Sequence, residues 1–589
     1  MLKLMKKIRW YYWVMIILIG ILTYVQVSLE LALPDQMDKI IVEVTKALNI
    51  ENYQMNTTLI YSVGLNMLGI VLAVITILTI IVYMTARVGA GVANDLRRDI
   101  FKKVEGFSLE EINHFSTPSL ITRTTNDVMQ IKMVFIMVIR LAFSAPITGV
   151  IAVRKALQHS RDLSNVILFA VLFLAVAITT IFIIVIPRFS RLQKLTDRLN
   201  LVTRENLTGL RVIRASNAED IQEGKFDEVN TTFMKNNLFV NRIGSLMHPI
   251  QSLTLNGLTL GLVWFGAIIA SRITDVTLSS ERLGSILKFQ QYAVMVVFAF
   301  MMMTMLVIFI PRGIVSGRRI NEVLEMESNI QNPVLPINEF PNPGAIEFKN
   351  VTFKYPDAEK PVLENISFKV NPGETIAFIG STGSGKSTVI NLIPRFFDAT
   401  EGEVIVNGVN VKDVQQEDLR NTIGYVPQRG VLFRGTIRSN LTYGRKDATD
   451  EEIHEALRIA QATEFVSKLP DGIDAPIAQG GTNVSGGQKQ RLNIARAIIK
   501  KPDIYIFDDS FSALDFKTER ILREELAKAT QGTTKVIVAQ RVGTIMDADQ
   551  IVVLDEGKMV GMGSHKELME TCDVYQEIAL SQLSKEELE

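Results

Sequence analysis

Apolar residues are unevenly spread along the chain. Long apolar runs fill it up to about residue 312, and beyond residue 344 no run is long enough to cross a bilayer. A crossing helix needs about 20 mostly apolar residues at a rise of about 1.5 Å each. Six stretches qualify: residues 11–33, 59–84, 139–157, 165–187, 248–270 and 286–310. The third is the weakest, because Arg154 and Lys155 interrupt its end. Two charged segments, 85–138 and 188–247, are poor in Gly and Pro. They predict long helices that continue past the bilayer as two hairpin-like pairs. A short crossing segment is expected at each tip, near residues 114–120 and 209–226. Residues 35–57 hold only Lys39 and Lys46 as basic residues and read as an outer loop.

The basic start, with Lys3, Lys6, Lys7 and Arg9, favours a cytosolic N-terminus. The cluster of Arg154, Lys155 and Arg161 then falls outside, against the same rule. The start is similar to the front of a signal peptide, but its apolar run is too long and no small-residue cleavage site follows, so it reads as a retained anchor. Arg140 marks the cytosolic edge of the third span. After the sixth span, GRRINEVLEME at 317–327 reads as a charged helix, and Pro333, Pro336, Pro341 and Pro343 mark a linker. The expected domains are a membrane domain at 1–312, a linker at 313–343 and a soluble domain at 344–589.

Composition narrows the possibilities. The 62 basic and 62 acidic residues cancel, which gives no reason to expect a nucleic-acid partner. The one cysteine, Cys572, excludes an internal disulfide and a Cys-based metal site. The five histidines, at 114, 159, 248, 454 and 565, lack ligand spacing. The sixth span carries MMMTM at 301–305 beside Phe298, Phe300 and Phe309. Methionine adapts to irregular shapes, which suits a surface for many apolar ligands as well as plain packing.

The soluble half carries the chemistry. TIAFI at 375–379 reads as a buried strand, GSTGSGKST follows, and an apolar helix begins near Val389. The phosphate-loop pattern is met by Gly380, Gly385, Lys386 and Ser387, with Ser381, Thr382, Gly383, Ser384 and Thr388 between and after them. Its glycines let backbone N–H groups wrap phosphates, Lys386 reaches the β- and γ-phosphates, and Ser387 offers an oxygen to Mg2+. The helix N-terminus adds a favourable dipole. IYIFDD at 504–509 is a buried strand running into Asp508, a second contact for Mg2+. Between these motifs, VSGGQKQR at 484–491 places Ser485, Gly486, Gly487 and Gln488 at the start of a helix, a second N–H-rich phosphate seat.

That trio of motifs, behind six spans, resembles a half-exporter of the ABC superfamily along essentially the whole chain. The resemblance implies a multidomain fold: an all-α six-helix transmembrane domain with long cytosolic helix extensions, followed by an α/β P-loop ABC ATPase domain. It implies ATP and Mg2+ as cofactors. At matching positions it implies that Tyr355 stacks on adenine. Gln428 is the Q-loop glutamine that contacts Mg2+. Ser512, Ala513, Leu514 and Asp515 form the D-loop. Ser485 to Gln488 act in trans, completing the site of a second ABC half-transporter. The two cytosolic tips match the coupling helices.

Two positions depart from the family's hydrolytic pattern. The glutamate that acts as general base is replaced by Asp509, one methylene shorter, so its carboxylate falls roughly 1.5 Å short. The switch histidine is replaced by Gln540, which can still donate a hydrogen bond to the γ-phosphate but carries no positive charge there. The pair resembles the degenerate-site chain of bacterial heterodimeric multidrug exporters. It implies a partner with a complete Walker B Glu and switch His, a plasma-membrane address with a cytosolic ATPase domain, and export of small hydrophobic or amphipathic compounds. A peptide or lipid exporter, or an ATP-gated regulator, is compatible with the same motifs.

Overall fold

The computed structural model of the chain describes residues 9–49, 53–159, 161–271, 276–356 and 358–583. It resolves into two compact units: Met1–Glu105 with Ser116–Met326, and Gly106–Phe115 with Glu327–Glu589.

The first unit is built from helices α1 (Trp10–Glu30), α2 (Leu33–Asn49), α3 (Thr57–Glu105), then, past α4 (Leu109–Phe115), α5 (Thr117–Thr122), α6 (Val128–His159), α7 (Arg161–Ala215), α8 (Glu219–Ser245), α9 (Met247–Ser271) and α10 (Val276–Glu325). Five of the six apolar stretches each lie within one long helix, and the first, residues 11–33, follows α1 and runs past its end through a turn to the start of α2. Five helical stretches among the described residues are long and apolar enough to cross a bilayer. The 248–270 stretch is a helix too, diluted by Gln251, Thr254, Asn256 and Thr259. Lys3, Lys6 and Lys7, and the side chain of Met305, lie outside the described residues.

Three local readings change. Much of the expected outer loop is helical: α2 covers residues 33–49, because Met37, Ile40, Ile41, Val44 and Leu48 recur at helical spacing behind Pro34 in the first turn. The first tip is two short helices split at Ser116, which sits at φ 61°. The second tip has no separate crossing segment. Helix α7 ends in a Schellman-type cap: Asn217 takes a left-handed φ of 47°, Ala218 N–H reaches the Ile213 carbonyl at 3.0 Å, and Asn217 N–H reaches Arg214 at 3.4 Å. Helix α8 starts at once after it.

Two polar clusters tie the membrane helices together. At the α1–α2 turn, Asp35 accepts from Lys155 of α6 (2.5 Å) and from the Tyr292 hydroxyl of α10 (2.7 Å), while Asp38 accepts from Lys288 (2.8 Å). The cation that weakens the third span is thereby paired, which lets it sit beside the apolar bundle. The second cluster surrounds a single π-helical turn, Arg123–Asp127, between α5 and α6. Arg123 donates to Glu322 (2.9 Å) and to the Arg319 carbonyl, and Asp127 accepts from Ser316 (2.8 Å). The wider turn presents both buried side chains to α10.

In the second unit, the strands are β1 (Ile346–Phe353), β2 (Leu363–Val370), β3 (Thr375–Gly380), β4 (Glu401–Val406), β5 (Val409–Asn410), β6 (Ile423–Val426), β7 (Gly435–Thr436), β8 (Pro476–Ile477), β9 (Ile504–Asp508), β10 (Thr534–Val538), β11 (Gln550–Asp555) and β12 (Lys558–Gly563). The helices are α11 (Lys386–Leu392), α12 (Gln416–Asn421), α13 (Ile437–Leu441), α14 (Asp450–Ile459), α15 (Thr463–Ser467), α16 (Gly486–Lys500), α17 (Phe516–Ala529), α18 (His565–Thr571) and α19 (Asp573–Gln582). The main sheet runs β12-β11-β3-β10-β9-β6, parallel except for β12. An antiparallel sheet, β2-β1-β4-β5, lies beside it in sequence and core. The parallel strands are apolar on both faces: Ala377 and Ile379 enter one core, Ile376 and Phe378 the other. That is why TIAFI shows no alternation.

The segment Gly106–Phe115 packs with this unit. Glu111 is buried and accepts from Asn329 N–H (3.0 Å), Ser108 N–H (2.6 Å) and the Ser328 hydroxyl (3.1 Å). Burial alone would raise its carboxyl, but these three donors outweigh it and hold Glu111 below the ordinary glutamate range.

Candidate functional site

Four neighbouring parallel strands, β3, β10, β9 and β6, end at one edge of the sheet. Ligands of open α/β sheets bind at this carboxyl edge. Each strand delivers a residue singled out by its motif: β3 the phosphate loop, β10 Gln540, β9 Asp508 and Asp509, and β6 Gln428.

The phosphate loop turns from β3 into α11. Gly385 precedes the helix at φ 101°, and a Cβ there would sit 2.6 Å from Leu363 Cδ2. At Gly380 a Cβ would lie 2.0 Å from the Leu554 carbonyl oxygen, so only glycine fits. Lys386 Nζ donates to the carbonyls of Gly380 (2.8 Å) and Ser381 (2.7 Å) and approaches Ser384 Oγ at 3.4 Å. Its ammonium is therefore held over the loop that cradles phosphate. Burial pushes Lys386 below the ordinary lysine range, and the charges of Asp509 and Asp508 oppose this.

Ser387 Oγ donates to Asp508 Oδ1 at 3.1 Å, which joins the two Mg2+-directed motifs. Burial pushes Asp508 above the ordinary aspartate range; the Asp509 charge adds to it, and the Ser387 hydroxyl and Lys386 work against it. A hydroxyl and a buried carboxylate are hard oxygen donors, the set Mg2+ uses when substrate phosphates and water supply the rest. Among the described residues no group of three or more His, Cys, Asp or Glu side chains could hold a metal unaided.

Asp509 is buried and takes a left-handed φ of 46°, with its N–H on the Val538 carbonyl at 2.9 Å. Its Oδ2 accepts from both Gln428 Nε2 (3.1 Å) and Gln540 Nε2 (2.8 Å). Gln540, expected to face a γ-phosphate, has its amide on Asp509 in the structure. Tyr355 packs edge-on to Phe353 and Phe397, with its hydroxyl 3.3 Å from Thr388 Oγ1.

Ser485 caps α16 in a capping box: its Oγ accepts Gln488 N–H (3.3 Å), and Gln488 Oε1 accepts Ser485 N–H (2.9 Å). Gly486 is open to its surroundings, and a Cβ on Gly487 would stand 3.2 Å from the Ala513 carbonyl. This segment therefore adjoins Ser512 to Asp515, where Ser512 Oγ donates to the Asp509 carbonyl (2.9 Å) and Asp515 caps α17 through Thr518 N–H (2.9 Å). No hydrogen bond among the described residues joins Ser485–Gln488 to the phosphate loop.

Several contributors are invisible to motif reading. Gln490 Nε2 holds the Pro427 carbonyl (3.2 Å) and Arg496 holds that of Val431 (3.0 Å), so α16 fixes the loop of Gln428. Gln582 fixes the loop of Gln540. Polar side chains far off in sequence leave no periodic or spacing signal.

A phosphate loop, a carboxylate-ended strand and a helix-capping SGGQ turn on one sheet define an ATPase domain of the ABC type, here joined to a helical membrane domain. Residues 363–512 match the ABC transporter family model, and residues 16–297 match that of the ABC transporter transmembrane region. An ABC transporter ATP-binding protein of Mycobacterium tuberculosis is 40% identical over 533 residues, 90% of each chain. One of Bacillus subtilis is 36% identical over 511 residues, 86% of each. The fold is similar to that of a bacterial Atm1-family ABC exporter solved with ATP bound: TM-score 0.78 at 24% identity, over 96% of this chain and 97% of that one. The chain belongs to the ABC transporters, and its ATPase domain is coupled to transport.

Proposed function

We propose that this chain is one half of a heterodimeric exporter of hydrophobic or amphipathic compounds, and that its own ATP site binds MgATP firmly but hydrolyses it slowly. The observation that carries this reading is the pair of amide donors on Asp509 Oδ2. A carboxylate oxygen has two lone-pair positions, and both are taken here by Gln428 and Gln540. An attacking water needs a free, correctly placed acceptor. That leaves the task to Oδ1, which sits on a side chain one methylene shorter than glutamate and tethered through its other oxygen, and so is poorly placed for that water.

The binding parts are complete. Lys386 and the loop N–H groups hold the phosphates, and Ser387, Asp508 and Gln428 would hold Mg2+, which neutralises phosphate charge when bound. Tyr355 supports the adenine ring. The signature, Ser485 to Gln488, serves the partner's phosphate, and the partner supplies the missing glutamate and histidine. The chain lies in a bacterial plasma membrane with its N-terminus and ATPase domain in the cytosol, in keeping with the basic start and the bacterial relatives. ATP-driven closure of the two ATPase domains opens the substrate path outward, and hydrolysis at the partner's site resets it.

The test is ATPase activity of the purified chain alone, then after co-expression with the ABC half-transporter encoded beside it. Activity is expected only with the partner. It should vanish when the partner's glutamate is changed and survive Asp509→Asn. Brisk hydrolysis by this chain alone would overturn the heterodimer reading.

A further inference from the structure

Gln582, the last residue of α19, reaches the loop that carries Gln540. Its Nε2 donates to the Gln540 carbonyl at 2.8 Å, and its Oε1 accepts from Val542 N–H at 2.9 Å. One side-chain amide thus engages the backbone on both sides of Arg541, as a strand partner would. The clip is mounted on a fixed helix. Tyr575 and Ala579 of α19 are fully buried, the Tyr575 hydroxyl lies 2.7 Å from His565 Nδ1, and Gln576 donates to the Met569 carbonyl at 2.7 Å.

The loop itself needs such a tether. It leaves the sheet at Ala539, whose N–H still bonds the Phe378 carbonyl (3.2 Å), and Gln540 is exposed. Beyond the clip, Arg541 is held from the other side: its guanidinium lies over the Phe516 ring at 4.9 Å and meets Glu519 Oε2 at 3.4 Å. The Gln540 side chain then donates to Asp509, which also accepts from Gln428. A single hydrogen-bonded chain therefore runs from Gln582 through Gln540 and Asp509 to Gln428.

We propose that Gln582 is a positioning residue for the ATP site, setting how Gln540 is presented to the γ-phosphate. This rests on the reading of Gln540 as the residue facing that phosphate. Gln582 touches no reacting atom; it acts only through the Gln540 backbone. Its effect is therefore confined to what distinguishes ATP from ADP.

The experiment uses the full-length chain in lipid nanodiscs, titrated with fluorescent MANT-ATP and MANT-ADP in the presence of Mg2+. The readout is the ratio of the two dissociation constants. Gln540→Ala is expected to lower the preference for ATP about tenfold, the loss of one hydrogen bond to a charged group. Gln582→Ala should lower it about threefold while leaving MgADP affinity unchanged, and Gln582→Glu, which keeps the acceptor and loses the donor, should fall between. The double variant should fall no further than Gln540→Ala, because the two act through one group. Equal weakening of both nucleotides by Gln582→Ala, or an additive double variant, would show a purely structural clip and overturn the inference. If Gln540→Ala lowers the ratio and neither Gln582 variant does, the clip alone falls. If Gln540→Ala leaves the ratio untouched, the assignment of Gln540 falls and the clip's role with it. Should Gln582→Ala misfold, the Gln582→Glu comparison decides alone.

Discussion

Restoring the glutamate tests the slow-site reading at its centre. In Asp509→Glu the carboxylate moves out by one carbon–carbon bond, about 1.5 Å. In the native chain Oδ2 sits between amide nitrogens at 2.8 and 3.1 Å. A displacement of half that spacing cannot keep both bonds, so the longer side chain gives up at least one amide contact and reaches further from its strand. A well-placed general base is worth about 10²–10⁴-fold. Gln540 still lacks a positive charge, so the lower end applies: a gain of about 10²-fold, close to 2.7 kcal/mol of barrier. The assay is phosphate release from the heterodimer with the partner's glutamate changed to glutamine, so that only this chain's site reports. The reasoning is refuted if Asp509→Glu binds MgATP normally yet gains nothing. It is equally refuted if the silenced heterodimer with native Asp509 already turns over at the variant's rate.

Lys386→Ala removes the cation held over the phosphate loop; equilibrium titration should show MgATP affinity falling by about 10²-fold. Glu111→Ala strands three donors and should cost about 3 kcal/mol locally, seen as faster hydrogen exchange at residues 106–115 and 327–331. Because the folded Glu111 carboxyl lies below its ordinary value, its contribution is complete above the unfolded value, near 4.3, and is lost as pH falls through the lower folded one. Protection of the Asn329 N–H, corrected for intrinsic exchange, should therefore hold flat from pH 8 to about 5 and fail only in acid. Arg123→Met keeps the stem but abandons the Arg319 carbonyl and Glu322. With Glu322 half-exposed, a loss of about 2 kcal/mol is expected, read as a melting midpoint lower by about 5 °C.

Much of this architecture can be read along the chain, and the parts that cannot share a cause. The six long helices follow from apolar runs of the right length. The strand–loop–helix of TIAFIGSTGSGKST follows from local residue types: a strand buried on both faces, then glycines that only one backbone path allows. Convergence of Gln428, Asp508, Asp509 and Gln540 does not follow from spacing. It comes from strand order, since β10 inserts between β3 and β9 despite coming later in sequence than both. Helix α2 was hidden because Asp35, Asp38 and Glu43 make its sequence look like a solvated loop, although its apolar residues keep helical spacing. At the second tip, a cap at Asn217 does in three residues what a crossing segment would do in many. Lys155 looked like a flaw in its span until its counter-charge, 120 residues earlier, was in place.

That last pairing bears on how the protein is made. Asp35 and Asp38 are synthesised early, Lys155 is 120 residues behind Asp35, and Lys288 is 250 residues behind Asp38. At about 5–20 residues per second, the second aspartate waits on the order of ten seconds or more for its lysine. Until α10 arrives, the nascent bundle carries an unneutralised carboxylate against its own helices. The final membrane helix thus completes the charge balance of the first turn, and assembly can be checked by the cell at that step. A chain terminated after α9 keeps the Lys155 pair but lacks Tyr292 and Lys288. It is expected to be degraded faster than the full chain in a pulse-chase, and Asp38→Asn in that truncated chain should slow its loss.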